Sequence, residues 1–131
     1  SPSRGIVTAL QQKDRWKKIG EDGHVIFVNI DGEPVALNWI KEGYMDGCVS
    51  QDPIAYGEIA VEMLKKHSMK GEAVPTGVYE NDKYFWEKGE IVDGKTGPTL
   101  IIPPFVIDPS NADDKRHWGY ISETEWGIPY T

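Results

Sequence analysis

His24-Val25-Ile26-Phe27-Val28-Asn29-Ile30-Asp31-Gly32 is the stretch whose reading decides the fold. It is a short, nearly continuous β-branched run, the composition of a strand buried on both faces of a parallel sheet. Asp31-Gly32 breaks it, and Pro34 opens a helix with Ala36, Trp39 and Ile40 on one face and Gly43 at its end. Tyr44 to Ser50 reads as a second short strand. Asp52-Pro53 then starts another helix, with Ile59, Met63, Leu64 and His67 spaced for one stripe. Upstream, Ser1 or Ser3 is a cap and Pro2 suits the first turn of a helix that carries Ile6, Val7 and Leu10 and runs toward Gly20. Up to Gly71 the order is α-β-α-β-α with short connections, which predicts an α/β, Rossmann-like, doubly wound sheet of three layers.

Beyond Gly71 the pattern changes to short strand-like pieces, Gly77 to Tyr79, Tyr84 to Trp86, Ile91-Val92 and Thr99 to Ile102, with Asp93-Gly94 as a two-residue hairpin turn. Pro103-Pro104 runs extended. The tail to Thr131 is polar, with Trp118, Tyr120 and Trp126 as anchors.

Composition narrows the function. The 131 residues suffice for a real core, and one cysteine excludes a disulfide scaffold or a Cys-based zinc module. With 14 Lys plus Arg against 21 Asp plus Glu, the net charge of −7 disfavours nucleic acid and anionic membranes as partners. No apolar run approaches the roughly 20 residues of a membrane span. Ser1-Pro2-Ser3 leads straight into a helical pattern without the charged and apolar regions of a signal peptide, which is expected if the chain begins inside a longer protein.

Several motifs invite chemistry. Gly89 to Thr96 satisfies the phosphate-loop pattern G-x-x-x-x-G-K-[ST], but the loop requires a following helix, and Gly97-Pro98 and an apolar strand-like run follow instead. Glu90 and Asp93 would also place negative charge inside an anion cradle, so a hairpin is the better reading. Asp31 and Asp52 each end a predicted strand, where open α/β sheets place their ligands. An Asp before Pro is ordinarily a helix cap, and Asp31 divides between capping the Pro34 helix and ligand contact. His24, His67 and His117 lack metal-ligand spacing, Cys48 reads as a small core residue, and no catalytic residue, metal or cofactor is assigned.

The pair Asp31-Gly32-x-Pro34-x-Ala36-Leu37-x-x-Ile40-x-x-Gly43 and Met45-Asp46-Gly47-Cys48-Val49-Ser50-Gln51-Asp52-Pro53-x-x-x-Gly57 resembles type I periplasmic sugar-binding proteins, the substrate receptors of bacterial sugar ABC transporters. Ser1 to Leu10 resembles the helix that precedes this strand in the family, and Ile107 to Asp114 the late crossover near its C-terminus. The chain departs from the pattern at Lys83 to Gly97, which reads as a β-hairpin insertion, and after Trp118. The resemblance implies a partial periplasmic-binding-protein-like type I fold. Residues 1–50 would belong to the C-terminal lobe. Residues 51–102, with a hairpin near 84–97, would return to the N-terminal lobe, and residues 103–131 would hold the crossover and tail.

It further implies a non-enzymatic receptor for a monosaccharide or polyol, periplasmic or extracellular and lipid-anchored, that closes by a hinge and docks onto a membrane permease. Asp31 and Gln51 match the family's ligand aspartate and glutamine. A carboxylate at a strand end accepts two hydrogen bonds from vicinal hydroxyls, and an amide pairs with a hydroxyl in either sense. Because most of one lobe would be missing, the remainder of the receptor, another copy or a domain swap is an expected partner. Two rivals stand beside this: the sugar effector domain of a lactose-repressor-family regulator, and a nucleotide enzyme using Gly89 to Thr96. The Gln51-Asp52-Pro53 stretch is more like the transporter branch.

Overall fold

The computed structural model describes residues 2–127. It builds a mixed α/β fold from two small sheets, consistent with a partial periplasmic-binding-protein-like arrangement. The first sheet has the order β1 (Val28–Asp31), β2 (Gly47–Ser50) and β6 (Phe105–Ile107), with β1 and β2 parallel and β6 antiparallel to β2. The second is an antiparallel meander of β3 (Gly77–Glu80), β4 (Lys88–Gly94) and β5 (Gly97–Ile101).

Helix α1 (Pro2–Gln12) stops well short of Gly20. Asp14 takes a left-handed φ of 52°, and the amides of Asp14 and Arg15 turn back to the carbonyls of Gln11 and Leu10, a closed C-terminal cap that leaves the helix nowhere to continue. Helices α2 (Pro34–Lys41) and α3 (Pro53–Lys66) both begin on the prolines that the sequence marks.

Register explains the first core. Cys48 pairs with Asn29 on one side and Ile107 on the other, and Ile30, Val49 and Val106 form the next row. Cys48 and Ile107 join Val7, Phe27, Ala36, Leu37, Ile40, Met45 and Ala112 in one buried cluster. The other row stays open, with Ile30 at 70% and Val106 at 57% exposure. The expected strand buried on both faces is therefore a shorter strand on the sheet edge with one face uncovered. Its outer edge has no strand partner among the described residues.

The second core lies under α3. Ala55 and Ile59 bury themselves against Tyr84 and Trp86, with Met63, Tyr79 and Leu100 packed around them. Gly89 to Thr96 is part of a β-hairpin, as its flanking residues require, but the loop is Lys95-Thr96 rather than Asp93-Gly94. Gly94 is needed inside the strand, because a Cβ there would stand 2.3 Å from Thr99 Oγ1 and 2.9 Å from the Gly97 carbonyl. The tail differs too. After β6, Asp108 and Asn111 organise a turn, Asp108 accepting from the Ser110 amide at 2.8 Å and Asn111 from the Asp108 amide at 3.0 Å. A last helix, α4 (Trp118–Thr124), then packs on α2.

Candidate functional site

The C-terminal ends of β1 and β2 lie side by side, Asp31 opposite Ser50, with Gln51 the next residue along. Phe105 is the other neighbour of Ser50, so the chain leaves the first sheet at Gln51-Asp52 and returns at Phe105 through adjacent passages. This is the strand end at which open α/β sheets hold their ligands.

Asp31 and Asp52 are treated differently. The Asp31 carboxylate is exposed and makes no hydrogen bond or ion pair among the described residues; its backbone has a φ of 95°, beyond the ordinary left-handed region. Asp31 does not cap α2, whose N-cap is Glu33 without a side-chain bond. Asp52 is 97% buried by contrast, at 3% exposure, and both its oxygens are occupied. Oδ1 accepts from the Ala55 amide at 3.0 Å, and Oδ2 from the Trp86 indole at 3.2 Å. Burial holds its carboxyl above the usual range, opposed by those bonds. Asp52 is thus the helix cap, and a tie between α3 and the second core.

Gln51 is exposed, and its Oε1 accepts from the Tyr56 hydroxyl at 3.4 Å. Asp31 also borders a shallow cavity of about 740 Å³ that runs over the open sheet face past Val28, Ile30, Val49 and Val106. Gln51 does not line it. Cys48, beneath this face, is inert: burial first, then the Asp31 and Glu33 carboxylates, push its thiol up to about 12.

Two contacts had no local signal. Ser50 Oγ donates to the Asp31 carbonyl at 3.0 Å, and the Trp118 indole N–H donates to that same oxygen. The sequence marks Trp118 as an anchor without saying to what. His24 and His117 are structural as well. His24 spans the Lys17 carbonyl at 2.8 Å and Asp46 at 3.2 Å, while fully buried His117 lies between Phe85 and Phe105. No group of three or more His, Cys, Asp or Glu is arranged to hold a metal among the described residues, and no described helix is long and apolar enough to cross a membrane.

An open α/β sheet with exposed polar side chains, Asp31 and Gln51, at adjacent strand ends is the layout of a small-molecule-binding domain. Residues 1–73 match the family described as periplasmic binding protein domain, and the chain belongs to that family. Its members are typically non-enzymatic, and the family implies a small-molecule ligand and a periplasmic or extracellular setting. No curated protein matches the chain at a significant level.

Proposed function

We propose that the chain is the C-terminal part of a receptor for a monosaccharide or polyol, serving uptake through an ABC transporter, with Asp31 and Gln51 as hydroxyl-binding residues. The observation that carries this is the unpaired, exposed carboxylate of Asp31 beside Gln51 at the ends of parallel neighbours, in a chain of this family. Such a carboxylate grips two vicinal hydroxyls, each charge-assisted bond contributing about 1.5–3 kcal/mol. Residues 1–50 are assigned to one lobe, residues 51–102 to the other, and residues 103–131 to the crossover and tail. Two features support that division. β6 rejoins β1 and β2, while α3 and β3 to β5 build a core of their own. The adjacent passages at Gln51-Asp52 and just before Phe105 suit the crossings of a hinged pair of lobes that closes on sugar and then engages a permease.

The remainder of the receptor is assigned to the open face of the first sheet, where Ile6, Val28, Ile30, Val49 and Val106 form an apolar surface. Without it the isolated polypeptide is expected to cover this face by self-association or a domain swap. A monodisperse monomer in light scattering counts against that.

Half a cleft, open to water, falls short of the about −8 kcal/mol of micromolar binding. Calorimetry of the isolated polypeptide with a panel of monosaccharides and polyols is expected to show affinities much weaker than micromolar. In the full-length receptor, Asp31→Ala should abolish high-affinity binding. Retained affinity in that variant removes Asp31 from the site and the carbohydrate reading with it.

A further inference from the structure

Among the described residues three non-glycine residues have positive φ, and Asp31 stands apart from the other two. Asp14 and Glu87 lie at 52°, within the ordinary left-handed well, whereas Asp31 lies at 95°. An L-residue keeps such a conformation only when its surroundings over-determine it. Here they do. The Asp31 carbonyl receives the Ser50 hydroxyl from β2 and the Trp118 indole N–H from α4.

The same helix is seated on the next residue. Gly119 packs so closely that a Cβ there would stand 2.5 Å from the Gly32 carbonyl and 2.9 Å from Leu37 Cδ1. Gly32 itself has a φ of 75°, and a Cβ there would meet Ser50 Oγ at 2.7 Å. The Ser50 hydroxyl and the Trp118 indole N–H thus meet on the Asp31 carbonyl at this turn, while the Asp31 carboxylate makes no hydrogen bond or ion pair among the described residues.

We propose that Trp118 is a positioning residue for Asp31. Its indole N–H, with the Ser50 hydroxyl, locks the Asp31 carbonyl and so holds the carboxylate preformed for a pair of vicinal hydroxyls. The inference rests on the assignment of Asp31 as a ligand residue, and it makes α4 part of the polyol-binding apparatus. A carboxylate fixed before the ligand arrives loses less freedom on binding than one on a mobile turn.

The test is NMR on the ¹⁵N,¹³C-labelled chain with two independent readouts. The first needs no ligand: backbone couplings and the intraresidue amide–Hα NOE report the sign of φ at Asp31. In Trp118→Phe, which keeps a ring and removes the N–H, φ at Asp31 is expected to relax to negative values. A positive φ retained in that variant overturns the proposal. Should Trp118→Phe fail to fold, Gly119→Ala lifts α4 from Gly32 without touching either partner, and the same relaxation is expected; a positive φ there overturns the proposal equally.

The second readout is titration with ribose, glucose and xylitol at millimolar concentrations. Trp118→Phe is expected to weaken the response at Asp31 about fivefold, the worth of one net hydrogen bond. An unchanged titration in Trp118→Phe, with Asp31→Asn silent, overturns the positioning role and leaves the ligand role standing. A response that survives Asp31→Asn overturns the ligand role, and with or without a response the first readout decides the clamp.

Discussion

Two aspartates end two neighbouring β-structures, and the molecule uses them in opposite ways. At the β1 end, Asp31 has its backbone restrained and its side chain free. At the β2 end, Asp52 has its side chain consumed twice, by the α3 amide of Ala55 and the Trp86 indole. Asp52 belongs to stability because both its carboxylate oxygens are engaged inside the protein. Asp31 is available for recognition because neither of its carboxylate oxygens is. Position at a strand end therefore says where a ligand could be met, and the pairing of the side chain says which residue can meet it.

The largest expected effect sharpens this contrast. Asp52→Ala removes the α3 cap, worth about 1 kcal/mol, and strands the buried Trp86 N–H, worth about 1–3 kcal/mol, so the chain should lose about 2–4 kcal/mol in urea unfolding. Asp31→Gly relieves a non-glycine residue at a φ of 95° and should leave the unfolding midpoint unchanged or raise it. Equal losses in the two variants break the comparison.

What the sequence made legible follows the same division. The starts of α2 and α3 were readable because proline and, for α3, a capping Asp act on their own neighbours. The first parallel strand was readable from its β-branched run and Asp31 from its place at that strand's end, whereas Gln51 was marked only by the family resemblance. The pairings that separate the two aspartates were not readable. Trp86 lies 34 residues from Asp52, and Trp118 lies 87 residues from Asp31. Nothing local in either tryptophan states its partner. The exposure of Val28 and Ile30 escaped for a related reason: a β-branched run reports a strand, whereas its burial depends on what else packs on the sheet. The family resemblance located the candidate site, and the reason Asp31 is the free carboxylate required coordinates.

Two histidines carry the contrast into pH dependence, one in each kind of environment. His117 donates from Nε2 to the Asn111 carbonyl at 2.9 Å, leaving Nδ1 buried without a partner. Burial pushes its pKa down, against the pull of the Asn111 carbonyl, Asp114 and Asp52, while Arg116 adds to the lowering. Its neutral form belongs to the folded state. That stabilisation is present in full above the ordinary value of about 6.5 and is lost as pH falls from there through the lowered folded value. His24 has the opposite sign: the Lys17 carbonyl foremost, then Asp46 and Glu21, raise its pKa against burial. Its contribution is present below about 6.5 and is lost as pH rises through the raised folded value. Thermal melts between about pH 5 and 8 should show stability falling on both sides of a maximum. His117→Gln should flatten the acid side and His24→Gln the alkaline side. If His24→Gln changes the acid side instead, the two environments are assigned the wrong way round.

The smallest effect tests whether a side-chain pairing matters once it is exposed. Lys83 Nζ reaches both Glu58 oxygens at 2.6 and 2.7 Å, yet both partners are open to solvent, with side chains 56% and 43% exposed. Water screens such a pair, and holding two long side chains in one geometry costs entropy, so Lys83→Met should cost under about 1 kcal/mol and still less in high salt. Glu58 has a second partner of another kind, the hydroxyl of Tyr84, which donates to Oε2 at 2.8 Å from a residue 5% exposed. Glu58→Ala leaves that hydroxyl with a lost bond in a drier place, so it should destabilise more than Lys83→Met and should keep its cost when salt is added. Urea titrations of both variants at low and high ionic strength separate the two. Equal, salt-sensitive losses would mean that the ion pair governs this corner, and that burial of the partner is not what makes a carboxylate contribute to stability here.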